Sequence, residues 1–393
     1  MTGTYPAPRP AVRDLVEDAI GVRRELHRHA ELSTEEWHTQ EVILSWLRSA
    51  GVEDVAAIAD TGVTGIVLGG RPGPNLLWRA DIDGLPLAEA TGLAFASQNP
   101  GAMHACGHDG HTAIALAMAS ALAAARASLA GSVRFAFQPA EEHVGGARRM
   151  IEQGIMRDPK VERVFGLHIL ADYPVGEVRI APGAVFAAAT HFRTIIRGSG
   201  GHASAPHQAV VPIVVAAQAI VALQTVVSRN VPAAEAAVLT VGRIQGGVRG
   251  NIIPDEVMMS GTIRTFNPEV QVLIVARVDE ILRGVTGAMR ATYQFDHSTL
   301  PACVNDPACA ALVERVAVGF LGPDRVAAAR LTGADDMAAF LEAAPGAYLF
   351  LGGRNESRGI VHPHHSPGFN FDEACIPLGI ELGLRIIEAA GTE

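Results

Sequence analysis

The sequence predicts an α/β domain with a central mixed sheet, interrupted by an inserted ferredoxin-like (β-α-β-β-α-β) domain. Three observations carry this. Short apolar segments alternate with helix-length segments as far as residue 185, the pattern that packs helices on both faces of a sheet. From Phe186 the order changes to β-α-β-β-α-β, a split βαβ unit of about 110 residues. Beyond residue 298 helix and strand segments resume. The expected division is therefore 1–185 with 299–393 as one domain and 186–298 as the insert.

Taken in order, residues 11–29 space Val12, Leu15, Val16, Ala19, Ile20 and Leu26 as an amphipathic helix does. TGIVLGG and NLLWRAD, the latter ending at Asp81, are short buried strands. An alanine-rich helix follows from about His111 to Leu129. SVRFAFQPAEE is a strand running out into Glu141 and Glu142, and RVFGLHIL is a strand ending near His168. Asp81, Glu141, Glu142 and His168 thus fall at or past strand ends, where open α/β sheets bind ligands. In the insert, HFRTIIRG, AAVLTVGRI, EVMMSGTIRTF and MRATYQFDH are strands, with helices over 208–229 and 269–286.

A chain of 393 residues exceeds one ordinary core, which agrees with two domains. Its 49% hydrophobic and 18% charged residues are those of a globular protein. The net charge of −10 argues against nucleic acid or an anionic membrane as partner and says nothing about a small-molecule substrate. The opening MTGTYPAPRPAVRD has no signal-peptide core and no run of 18 apolar residues follows, so a cytoplasmic location is expected. Four cysteines without a CxxC pair indicate neither a disulfide framework nor a zinc finger.

Fifteen histidines are more unusual, and three lie in HACGHDGHTA, residues 104–113. That stretch is open to three readings: a zinc knuckle, a cysteine nucleophile with its base, or part of a catalytic metal site. Alone, each candidate has a plainer explanation. A buried cysteine is usually a small hydrophobe, Glu141-Glu142 could be a solvated loop, His168 a core histidine and His365 a loop histidine. Together they weaken those explanations, because thiolate, imidazole and carboxylate form the ligand set of zinc, manganese, cobalt or nickel. Five such groups, Cys106, His108, Glu142, His168 and His365, are too many for one closed tetrahedral site but suit two adjacent ions. Spacing alone does not single out these five.

The motifs WRADIDGLPLAEATG, MHACGHDGHTA, FAFQPAEE with GGARRMIEQG, GLHI, GSGGHASAPH, GGVRGNIIPDEVMMSGTIRTF, GADDMAAF and HSPGFNFDE resemble the metallo-aminoacylase family that includes hippurate hydrolase and the indole-acetyl-amino-acid hydrolases. They run in order over essentially the whole chain. The resemblance implies a metal-dependent amidohydrolase acting on an N-acyl amino acid or related amide. It puts Cys106, His108, Glu142, His168 and His365 on the ligands of two divalent ions, and Glu141 on the catalytic carboxylate. It also implies that the insert is a lid through which a homodimer forms. There His202 is an oxyanion donor reaching in from the partner subunit, while Asn251 and Arg264 hold the substrate carboxylate. Asp81 is expected to orient a ligand or Glu141, since Arg79, two residues before it, cannot bind a cation.

Three departures touch the substrate, not the ligands. His143 replaces a usual glycine and is expected to intrude near the metals, Val211 replaces a common aspartate, and Asp335-Asp336 replaces Glu-Asp. VHPHHSP also holds His362 and His364, and only the position before Ser-Pro selects His365. The rivals are a cysteine hydrolase using Cys106 with His104 or His108, and a catalytically silent binding protein. Neither gives a role to every residue of the set.

Overall fold

The computed structural model describes residues 5–143 and 145–392. The chain divides into two compact units. One comprises the residues through Val185, Cys303–Ala329 and those from Asp335 onward. The other comprises Phe186–Ala302 with Arg330–Ala334.

The first unit is built on an eight-stranded sheet. Its middle holds Ala130–Gln138, Arg71–Asp81, Arg163–Pro174 and Gly346–Arg354 as neighbouring parallel strands. Antiparallel pairing with Gly62–Leu68 on one side and Val178–Arg179 on the other makes the sheet mixed. Strands covered on both faces read as continuous apolar runs, and Leu76–Ala80 and Val133–Phe137 are buried throughout. Helices Val16–Arg28, His108–Ala124, Pro307–Leu321 and Cys375–Ala390 contribute to a single core with Leu26, Trp78, Ile114, Phe135, Phe165 and Ile386.

The structure alters three local expectations. The alanine-rich helix begins at His108, not His111, because Gly107 takes a left-handed φ of 89° at its N-cap and turns the chain directly into the helix. Gly110, two residues inside, is tolerated because a Cβ there would lie 2.5 Å from the Phe371 ring. The N-terminal helix is broken into Pro10–Arg13 and Val16–Arg28. The strand bearing His168 continues to Pro174, so His168 sits within it, opposite Phe350.

The second unit has a four-stranded antiparallel sheet in the order Ala237–Gln245, Glu256–Thr265, Ala188–Arg197, Thr292–Leu300. Helices Pro212–Asn230 and Pro268–Ala288 pack Val215, Ala219, Leu223, Ile274, Val278 and Leu282 against Phe192, Ile196, Val257, Met259 and Ile263. Pro212–Asn230 is apolar and long enough to cross a bilayer by composition, with a mean hydropathy of 1.5, and the face that packs in this cluster is about a third of it.

Candidate metal centre

Cys106 and His108 flank Gly107, so the left-handed turn that starts the helix also sets both side chains. His108 is fully buried, and its Nδ1 donates to the Asp83 carbonyl at 2.9 Å. That fixes the ring and leaves Nε2 buried with no hydrogen-bond partner, 3.5 Å from Asp81 Oδ2. His168 lies on the central strand, where its Nδ1 donates to the Ile169 carbonyl at 2.7 Å and its Nε2 is 3.5 Å from Cys106 Sγ. Both imidazoles therefore commit Nδ1 to a carbonyl and present Nε2, the usual arrangement of metal-ligating histidines.

Glu141 and Glu142 follow the Ala130–Gln138 strand after a turn in which Ala140 takes a φ of 52°. The Ala140 N–H donates to Glu36 at 2.8 Å, and the Glu142 N–H donates to Asp83 Oδ2 at 3.0 Å. His365 also adopts a left-handed φ, 57°, a conformation that costs a non-glycine residue about 1 kcal/mol or more. Its N–H donates to the Ala105 carbonyl at 2.9 Å, and its Nε2 reaches 3.3 Å from Glu142 Oε1.

Three sets of donor atoms each lie within 4.8 Å of one another: Cys106–His108–His168, Cys106–Glu142–His365 and His108–Glu141–Glu142. Cys106 belongs to two of them. Bond lengths of about 2.3 Å to sulfur and 2.0–2.1 Å to nitrogen or oxygen put tetrahedral S/N donors about 3.6 Å apart and N/O donors about 3.3 Å apart. The observed 3.5 Å and 3.3 Å match both, so the residues fit a pair of divalent cations.

The electrostatics agree. Burial opposes charge on His108, yet Asp81, Asp83 and Glu142 push it up to about 10. Burial raises the Cys106 thiol well above its usual range, and Glu142, Glu141 and Asp81 raise it further. Glu141 is also held well above the usual carboxylate range, by burial and then by Asp335, Glu142 and Asp336. A cation bound among these groups would offset the mutual repulsion that keeps them protonated.

Beneath it lies a second layer. His111 Nδ1 donates to Asp81 Oδ1 at 2.5 Å, and its Nε2 accepts the Ile169 N–H at 2.7 Å, tying Asp81 to the strand next to His168. Arg79 binds Asp81 at 2.7 Å, Asp335 at 3.0 Å and Asp336 at 3.2 Å, and also reaches Gln138 and Tyr348. Its buried charge is thus surrounded by carboxylates. Asp109 is in the first turn of the helix, and its carboxylate is taken by Arg23 and His27, each at 2.8 Å. His104 is buried with neither ring nitrogen hydrogen-bonded.

The remaining candidates belong to the second unit. His202 is exposed on the short strand Gly201–His202, where the Ser204 hydroxyl lies 2.7 Å from its Nδ1. The Ala203 N–H donates to the Asn251 carbonyl at 3.2 Å, so His202 and Asn251 adjoin. Arg264 is half-buried on Glu256–Thr265, opposite Val238 and Ala189. Of the departures, His143 is exposed and lines a concavity of about 470 Å³ with Thr34, Ala140, Arg148 and Arg149. Val211 is the N-cap of Pro212–Asn230 and supplies no side-chain cap.

Asp83 and Glu36 were not singled out by the sequence. Asp83 had one available signal, its place two residues after Asp81 in WRADIDG, whereas Glu36 lies in an unremarkable polar loop.

The family model described as peptidase family M20/M25/M40 matches residues 77–389. The N-acetyl-L-cysteine deacetylase of Bacillus subtilis (strain 168) is 41% identical over 364 residues, 92% of this chain and 85% of that protein. The IAA-amino acid hydrolase ILR1-like 4 of Arabidopsis thaliana is 34% identical over 375 residues, 94% of this chain and 84% of that protein. A Bacillus subtilis crystal structure described as a dinuclear metal-binding M20 peptidase superposes with a TM-score of 0.84 at 32% identity, covering 97% of this chain and 99% of that one.

Proposed function

The chain belongs to peptidase family M20/M25/M40, and from that premise we propose that it hydrolyses the amide bond of an N-acyl amino acid or related small amide with two divalent cations. The observation that carries this reading is the convergence of Cys106, His108, Glu142, His168 and His365 in overlapping groups of donors within 4.8 Å, with Cys106–His168 and Glu142–His365 at tetrahedral separations and the Glu141 carboxyl beside them. Those five residues hold the ions, which are zinc, manganese, cobalt or nickel by ligand chemistry. When bound, the ions supply Lewis acidity that polarises the scissile carbonyl and acidifies an attacking water.

The protein's own groups do the rest. Glu141 takes the proton of the attacking water and delivers it to the leaving amine, a transfer suited to a carboxylate whose proton affinity is raised. Asp81, through its contacts with His108 and His111, and Asp83, through its bonds to His108 and Glu142, keep the donors aimed. The second unit is read as a ferredoxin-like lid that also forms a homodimer. In it His202 of the partner subunit donates to the developing oxyanion, and Asn251 and Arg264 bind the substrate carboxylate. The enzyme is assigned to the cytoplasm.

A cysteine hydrolase is disfavoured because Cys106 is buried with its thiol proton held firmly, and because it leaves four converging donors without a task. A silent binder has no need of Glu141. The test is a panel of N-acyl amino acids assayed with metal-reconstituted wild type and Glu141→Ala. Turnover by wild type and its loss in a variant that keeps both ions supports the reading, and equal turnover by both would sink it.

A further inference from the structure

We propose that Glu25, His29 and His38 form a separate binding site for a zinc-class divalent cation, distinct from the donors of the catalytic centre. Glu25 is in the last turn of helix Val16–Arg28, His29 is the C-cap of that helix, and His38 is the second residue of helix Trp37–Ser49. The three donor atoms lie within 4.8 Å of one another.

Two features separate this cluster from an ordinary surface ion pair. His29 Nε2 is 3.3 Å and His38 Nε2 is 3.4 Å from the same oxygen, Glu25 Oε1. Donors about 2.0–2.1 Å from a tetrahedral cation sit about 3.3 Å apart, so both separations are those of ligands sharing one ion. Moreover, His38 Nε2 is buried and has no hydrogen-bond partner, so its approach to the carboxylate is not an aligned hydrogen bond. Arg28 engages the other carboxylate oxygen, Oε2, at 3.2 Å and leaves Oε1 to the imidazoles. Two imidazoles and one carboxylate suit zinc, cobalt or nickel, and the partial exposure of all three side chains leaves a fourth position to water.

The cation would clasp the two ends of the 29–36 loop between these helices. That loop reaches the catalytic centre at two points. The Ser33 hydroxyl donates to Asp83 Oδ2 at 2.6 Å, and Glu36 accepts the Ala140 N–H at 2.8 Å. Glu31, in the same loop, caps the next helix by accepting the N–H groups of His38 and Thr39, each at 2.9 Å. Occupancy therefore steadies the segment behind Asp83 and Glu141 without contacting either.

The experiment is equilibrium dialysis of the full chain against buffered micromolar free zinc, with bound metal counted by elemental analysis. Wild type is expected to bind one equivalent more than His29→Ala/His38→Ala and one more than Glu25→Gln. The conservative second variant guards against a folding defect in the first. Both variants are expected to keep amide turnover within twofold of wild type when the metal is in excess. Zinc should raise the melting temperature of wild type more than that of either variant. Equal zinc stoichiometry in wild type and Glu25→Gln overturns the proposal, whatever the number held at the catalytic centre.

Discussion

Replacing Arg79 by methionine tests the layer beneath the metal centre. The guanidinium is fully buried and contacts Asp81, Asp335 and Asp336 at 2.7–3.2 Å. Methionine fills much of the volume but leaves the carboxylates without their cation. Removing one partner of a buried ionic set costs about 3–5 kcal/mol. At about 2.1 cal/mol/K of unfolding entropy per residue, over a unit of roughly 270 residues, this lowers the melting temperature by roughly 5–9 °C.

The loss should depend on pH, and its sign follows from proton counting. Asp336 is raised to about 7 by burial while Arg79 pulls it down, so removing Arg79 raises it further. The folded variant then binds more protons than folded wild type near neutrality, while the unfolded chains are alike. Variant stability therefore falls more steeply as pH rises, and the deficit is largest at pH 8 and shrinks towards pH 5, where protons stand in for the lost cation. Differential scanning calorimetry of both proteins across that range, at fixed metal concentration, measures it. A deficit below about 1 kcal/mol at pH 8, or one unchanged down to pH 5, would refute the claim that Arg79 neutralises this layer.

Other residues give sharper functional readouts. Asp83→Ala removes the carboxylate bonds to His108, Ser33 and the Glu142 N–H, so metal affinity should fall about 10–100-fold, read by competition with a chromophoric chelator, while excess metal restores most turnover. Because Cys106 is buried, iodoacetamide should label it far more slowly than a free thiol, and peptide mapping that finds rapid labelling with loss of activity would instead support the cysteine mechanism. Val211→Asp adds the missing N-cap of helix Pro212–Asn230 and should stabilise the second unit by about 0.5–2 kcal/mol in urea unfolding.

The long elements were legible in the sequence because their apolar patterns are long. Strands such as Val178–Arg179 and Val326–Ala327 have two residues each and no period to read. The helix starts three residues before the point its alanine-rich pattern indicates, and only tertiary packing shows that Gly107 caps it and that Gly110 makes room for Phe371. The donor residues could be listed from chemistry and chosen by resemblance. Apart from Asp81, their supports could not, because they depend on contacts between distant segments: Glu36 with Ala140, Ser33 with Asp83, and Arg79 with Asp335 and Asp336.

The most direct test of the central claim is turnover of an N-acyl amino acid by protein stripped with chelator, shown metal-free by elemental analysis, and then titrated with one divalent ion. No measurable turnover is expected without metal, followed by a rise that requires occupancy of both positions at the Cys106–His108–Glu142–His168–His365 cluster. Full activity in verified metal-free protein would contradict it.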